Sequence, residues 1–171
     1  MNLSRRDLLR IGGGFLAGLP YAAAHAWGNE LVDITMKGNA DGSKVWFEPL
    51  GLLIRAGQTV RWTNRDAGNV HTSTAYHPDN GDHPLRIPAG AEAWNSDYLL
   101  PENSFSLVLT VPGVYDYFCV PHERAGMVGR IVVSNGSLTV SEPSGEGLPE
   151  VAAKVFPSVE DITRMGRVSG H

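Results

Sequence analysis

Val114-Tyr115-Asp116-Tyr117-Phe118-Cys119-Val120-Pro121-His122-Glu123-Arg124-Ala125-Gly126-Met127-Val128-Gly129-Arg130-Ile131-Val132-Val133 reads as two strands joined by a loop with unusual chemistry. The flanks are rich in β-branched and aromatic residues, as strands are. Cys119 is the only cysteine of the chain, and the loop places its sulfur close in sequence to an imidazole and a thioether. Thiolate and thioether are soft ligands suited to reduced copper, and imidazole suits both oxidation states. One Cys, two His and a weak axial Met compose a blue-copper electron-transfer site. Singly, a buried Cys, a core Met or a lone His is ordinary. Together, with Pro121 and Gly126 placed to turn the backbone, they point to a metal.

The loop lacks only a second histidine, and the chain has six. His25 falls in an N-terminal leader and His171 is the last residue, which leaves His71, His77 and His83. His71 follows the alternating segment Val60-Arg61-Trp62-Thr63-Asn64, which reads as a half-buried strand, and the turn residues Asp66-Ala67-Gly68-Asn69. His77 and His83 stand among Pro78, Asp79, Asn80, Gly81, Asp82 and Pro84, a loop composition. The expected ligands are therefore His71, Cys119, His122 and Met127, holding one copper ion. His77 and His83, with Asp79 and Asp82, are the alternative for a second, harder metal site. Cys119 as a nucleophile would need a base and an orienting group from elsewhere in the fold. Closed zinc sites prefer four Cys or His ligands, which a single cysteine does not supply.

The quoted stretch resembles the ligand loop of the plastocyanins, within the cupredoxin family of small blue copper proteins. Cys119, Pro121, His122, Ala125-Gly126-Met127 and Val128-Gly129 sit at matching spacing. The loop length is closer to plastocyanin and pseudoazurin than to the shorter amicyanin loop. The resemblance spans roughly residues 31–134. It implies a type 1 site, a carrier and not an enzyme, and a His122 edge near solvent. An apolar patch including Pro121 and Ala125 would ring that edge for brief docking to a redox partner. Two departures stand out. The family usually has Asn after the upstream His, bracing the ligand loop, where this chain has Thr72; plant plastocyanins have Tyr before the Cys, where this chain has Phe118. A photosynthetic partner therefore does not carry over.

At the N-terminus, Ser4-Arg5-Arg6-Asp7-Leu8-Leu9-Arg10 precedes a moderately apolar run and Ala24-His25-Ala26. Paired arginines, an apolar run of about 14 residues and small residues before a cleavage point resemble a twin-arginine signal, and the run is short for a membrane span. Residues 1–26 are thus expected to be removed on export to a bacterial periplasm, with no stable membrane insertion afterwards. The formal net charge is −4. Removing three arginines and one aspartate with the leader moves it to about −6, which argues against nucleic acid or an anionic membrane as partner. A single cysteine excludes an intrachain disulfide, so stability must come from burial in one core.

The mature chain reads as all-β. Alternating or short apolar runs fall at 32–36, 45–48, 52–54, 60–64, 93–96, 105–111, 114–119 and 128–134, with turn residues between them. Strands at this spacing predict a Greek-key β-sandwich over residues 27–134. If Cys119 points inward, so do Tyr117 and Tyr115, while Phe118 and Asp116 face outward. Phe118 is then either an exposed electron exit beside the thiolate or a residue covered by the tail or a neighbouring strand.

Residues 135–171 form a linker and a short helical extension. Ser141-Glu142-Pro143-Ser144-Gly145-Glu146-Gly147 is linker-like, Pro149 can start one helix, and Ser158-Val159-Glu160-Asp161 resembles a capped start of a second. The expected function is a monomeric periplasmic blue copper protein carrying single electrons between a donor and an acceptor protein. Copper delivery or storage, and a copper oxidoreductase with a second metal site, are the alternatives.

Overall fold

The computed structural model describes residues 30–136 and 141–170. The leader, its cleavage point, His25 and His171 lie outside the described residues. The elements are β1 (Leu31–Gly38), β2 (Val45–Glu48), β3 (Gly51–Arg55), β4 (Thr59–Asn64), β5 (Thr74–Ala75), β6 (Ser104–Val108), β7 (Gly113–Phe118), β8 (Val128–Ser134), α1 (Glu150–Val155), α2 (Val159–Met165) and β9 (Arg167–Val168).

Two sheets form, ordered β2-β1-β4-β6 and β5-β7-β8-β3-β9. The pairs β1/β4 and β3/β8 are parallel, whereas β7 is antiparallel to both β5 and β8. A parallel pair cannot be closed by a tight hairpin, so the chain crosses between sheets, as a Greek-key sandwich requires. Alternation decides the interior: Ile34 and Met36 of β1, Val60 and Trp62 of β4, Leu52 and Ile54 of β3, Tyr115 and Tyr117 of β7, and Ile131 and Val133 of β8 meet in one core. Cys119 and Met127 lie in that same core, at one end.

Parity along β7 follows the expected period of two, but its outer face is not solvated. Phe118 is 2% exposed and packs with Tyr76, Val128 and Ala152. Val114 and Val132 are covered by Val159 and Ile162 of α2. Asp116, also expected to face outward, is fully buried and accepts from Arg86 and Arg130, the shortest contacts being 2.6 and 2.7 Å. Both guanidiniums lie over the Phe156 ring, at 5.3 and 5.0 Å from its centroid. The covering reading of Phe118 therefore prevails, and the cover is Ala152 of the C-terminal tail together with the Tyr76 and His83 rings. Fully burying a side chain such as Phe or Ile contributes about 1.5–3 kcal/mol, which is why helices this short are held at all.

The capped helix start is as expected: the Ser158 hydroxyl accepts from the Asp161 amide at 3.0 Å. Residues 93–96 do not form a strand, since Asn95 makes only an isolated bridge to Thr74. The short β9, which adds an edge to β3, has no period signal in the sequence because it holds two residues.

Candidate metal centre

Cys119 directly follows β7, and its backbone N–H donates to Met127 O at 3.0 Å where the loop returns. Between them Glu123–Ala125 form one turn of 3-10 helix, closed by Gly126 at φ 86°, a conformation that favours glycine. His122 N–H donates to Cys119 O at 3.0 Å, and His122 O accepts from Met127 N–H at 3.1 Å. The loop is thus a compact coil that brings His122 and Met127 back over Cys119. A Cβ at Gly126 would lie 3.1–3.2 Å from Val151 and Val155, so α1 packs directly on the ligand loop.

His71 reaches the same place from across the sandwich. It lies beyond the end of β4 and is held by an isolated antiparallel bridge to Leu99, with backbone bonds of 3.2 and 2.8 Å. A bridge, not a continuous strand, therefore fixes the His71 backbone. His71 Nδ1 stands 3.2 Å from His122 Nδ1 and 3.6 Å from Cys119 Sγ, and His122 Nδ1 stands 3.4 Å from Sγ. Among the described residues this is the one group of three or more His, Cys, Asp or Glu donors that converge, all within 4.8 Å of one another. His71 and Cys119 are fully buried, while the His122 ring is partly exposed. Met127 is fully buried at the loop's return.

Thr72 resolves the first departure from the family pattern. Its amide points at Cys119 Sγ, 3.3 Å away, and its hydroxyl accepts from the Val120 amide at 2.9 Å. The hydroxyl thus ties the histidine segment to the ligand loop, the bracing expected of an Asn.

Residues 34–134 match the family model described as copper binding proteins, plastocyanin/azurin family. This chain belongs to that family. A plastocyanin of Scenedesmus fuscus is 40% identical over 105 residues, covering 59% of this chain and 99% of that one. A chloroplastic plastocyanin of Chlamydomonas reinhardtii is 39% identical over 115 residues, covering 65% of this chain and 70% of the relative. Among solved structures, a pseudoazurin of Methylobacterium extorquens AM1 superposes with a TM-score of 0.51 at 16% identity, over 80% of this chain and 96% of the other. At that identity the likeness speaks for the fold.

Copper is the metal of this cupredoxin, and the donor chemistry fits it. Burial pushes the Cys119 thiol up to about 11, partly offset by the Thr72 and His122 contacts. A thiol so far above neutral gives up its proton only to a cation that takes its place. Burial also lowers His71 against the opposing pull of Asp66, and lowers His122 with help from His71. Both imidazoles are therefore neutral near pH 7, the form that binds a metal.

Asp66 was legible in the sequence only as a turn residue. Its Oδ2 lies 3.0 Å from His71 Nε2. A carboxylate at neutral pH only accepts, so Nε2 carries the hydrogen and Nδ1 presents a lone pair to the other donors. Burial raises the Asp66 carboxyl, but hydrogen bonds from Asn69, Gly68 and His71 outweigh it and hold the group below the usual carboxylate range.

His77 and His83 are not part of the convergent group. His77 Nδ1 accepts from the Asp79 amide at 3.1 Å and caps a turn. His83 packs its ring 4.4 Å from that of Phe118. Each has its own acidic neighbour, Asp79 at 3.4 Å for His77 and Glu123 at 3.8 Å for His83, and among the described residues no group of three or more converging donors includes either.

Proposed function

We propose that this chain is an exported one-electron carrier whose copper is held by His71, Cys119 and His122, with Met127 as a weak axial ligand. The observation that carries this is the convergence of two imidazole nitrogens and one thiol sulfur at the buried end of a sandwich, on a loop of the family's pattern. Copper supplies there a one-electron change between two oxidation states. The chain's part is to hold the donors still: the bridge to Leu99, the Thr72 bonds and the coiled loop fix them from three directions. A site so fixed needs little rearrangement when charge changes. It is a carrier and not an enzyme.

His122 is the partly exposed ligand, so exchange with a partner is assigned to its edge. Pro121 and Ala125 are exposed beside it, as are Val120 at 45% and Val70 at 37%. Leu100 at 58% and Tyr98 at 60% flank Leu99, the residue bridged to His71. A small apolar face of this kind suits brief docking to a donor and then an acceptor protein. Buried Cys119 and His71 argue against copper delivery, which favours exchangeable ligands.

The proposed organisation is a signal over residues 1–26, a cupredoxin domain over 27–134, and a linker with helices over 135–171 that packs on the sandwich. Some relatives are named chloroplastic; for this chain the periplasm is proposed from Arg5, Arg6 and the run after them. Among the described residues no helix is long and apolar enough to cross a membrane.

The visible spectrum of the copper-loaded mature protein tests the site. An intense thiolate-to-copper band is expected, lost in Cys119→Ser and in His71→Gly but kept in His77→Gly. Survival of the band in Cys119→Ser would overturn the assignment. Replacing Arg5 and Arg6 by Lys should leave the protein in the cytoplasm on fractionation.

A further inference from the structure

We propose that Asp66 is a positioning residue for the copper site, fixing which nitrogen of His71 faces the ion and biasing the bound ion toward its higher oxidation state. The inference rests on His71 being a ligand and adds a charged partner behind it.

Three observations carry it. The first is the contact itself, Oδ2 to His71 Nε2 at 3.0 Å, with the two side chains 6% and 0% exposed. The second is that the carboxylate is held on every side. Gly68 N–H donates to Oδ1 at 2.9 Å and Asn69 Nδ2 donates to Oδ2 at 2.8 Å. The Asp66 amide donates to Asn64 Oδ1 at 2.9 Å, and buried Asn64 ties in turn to Asn69 O and Leu99 O at 2.9 Å each. The third is the room made for it: at Gly38, the last residue of β1, any Cβ would overlap the Asp66 carboxylate.

Two consequences follow from elementary chemistry. A carboxylate accepts and never donates, so it selects the tautomer with hydrogen on Nε2 and leaves Nδ1 bare. A neutral acceptor would do the same. The carboxylate also brings a full negative charge to the far side of one imidazole, away from bulk water, where charge is weakly screened. That charge raises the basicity of the ligand and favours the more positive ion.

Asp66→Asn keeps size and an acceptor oxygen but removes charge, Asp66→Ala removes both, and Gly38→Ala displaces the carboxylate without altering any charge. In copper-free protein, nitrogen NMR of His71 should show Nε2 protonated in the wild type and a mixture of tautomers in Asp66→Ala. In copper-loaded protein, the ratio of Cu(II) to Cu(I) affinity should fall at least tenfold in Asp66→Asn, a rise in potential of about 59 mV for a one-electron couple. Gly38→Ala should move both readings in the direction of Asp66→Ala. Unchanged tautomer and potential in both Asp66 variants, with only a lower thermal midpoint, would reduce Asp66 to a loop brace and overturn the proposal. A blue band that survives His71→Gly would instead overturn the ligand assignment, whatever Asp66 does.

Discussion

Replacing Asp116 by Asn should destabilise the copper-free protein by about 3 kcal/mol while leaving the metal site intact. The Asp116 side chain is fully buried and accepts four N–H bonds, from Arg86 Nε and Nη2 at 3.0 and 2.6 Å and from Arg130 Nε and Nη2 at 2.7 and 3.1 Å. Asn has nearly the same volume, so no cavity opens, but two buried guanidiniums then face each other without their shared counter-charge. Removing one partner of a buried ion pair typically costs about 3–5 kcal/mol. The lower end applies, because Arg130 keeps Glu142 and Pro157 O, and Arg86 keeps Ser144 O. Urea unfolding of the copper-free form is the assay, since bound metal would add its own stabilisation. With a slope of about 1–3 kcal/mol per molar urea, the midpoint should fall by about 1 M or more. Amides of α1 and α2 should lose hydrogen-exchange protection, because Arg86 and Arg130 reach the tail carbonyls of Ser144 and Pro157. Copper reloading should restore the same visible band, as Asp116 faces the tail and Cys119 the core. A loss below about 1 kcal/mol, the range of an exposed pair, would refute the claim that this cluster anchors the tail.

Copper(II) uptake at pH 7 should release about one proton per ion, from the Cys119 thiol alone, because both imidazoles are already neutral. The count should rise only at pH values below the ordinary imidazole range, because burial lowers both groups, and pH-stat titration of wild type against Cys119→Ser checks it. Thr72→Val should cost about 1–3 kcal/mol in urea unfolding by stranding the Val120 amide, with Thr72→Ser recovering most of it. Gly126→Ala should cost about 1–3 kcal/mol, since φ is positive there and a Cβ crowds Val151 and Val155 of α1; wild-type stability in that variant would deny the packing of α1 on the loop.

Local spacing made the metal loop readable. Cys119, His122 and Met127 are covalent near-neighbours, so a single turn with Gly126 suffices to gather them whatever the rest of the fold does. His71 was readable as the proposed second imidazole by elimination, because only two other histidines competed and both sat in loop composition. Patterning of apolar residues made strands readable, by period two in β1 and β4 and by β-branched and aromatic runs in β7 and β8. It misled at residues 93–96, where apolar content without a ladder partner on both sides leaves only a bridge to Thr74.

The sequence by itself determined the metal, three of its proposed donors by spacing, and the parity of β7, because each depends on chemistry or geometry within a few residues. Only the tertiary structure decided what lies on the other side of those residues. Parity says that Phe118 and Asp116 turn away from the core, but not that α1, α2 and Phe156 come back to cover them. Composition says that Asp66 lies in a turn, but not that Gly38 of another strand makes room for its carboxylate behind His71. Such relations are set by through-space packing of segments far apart in the chain, and no local pattern encodes them.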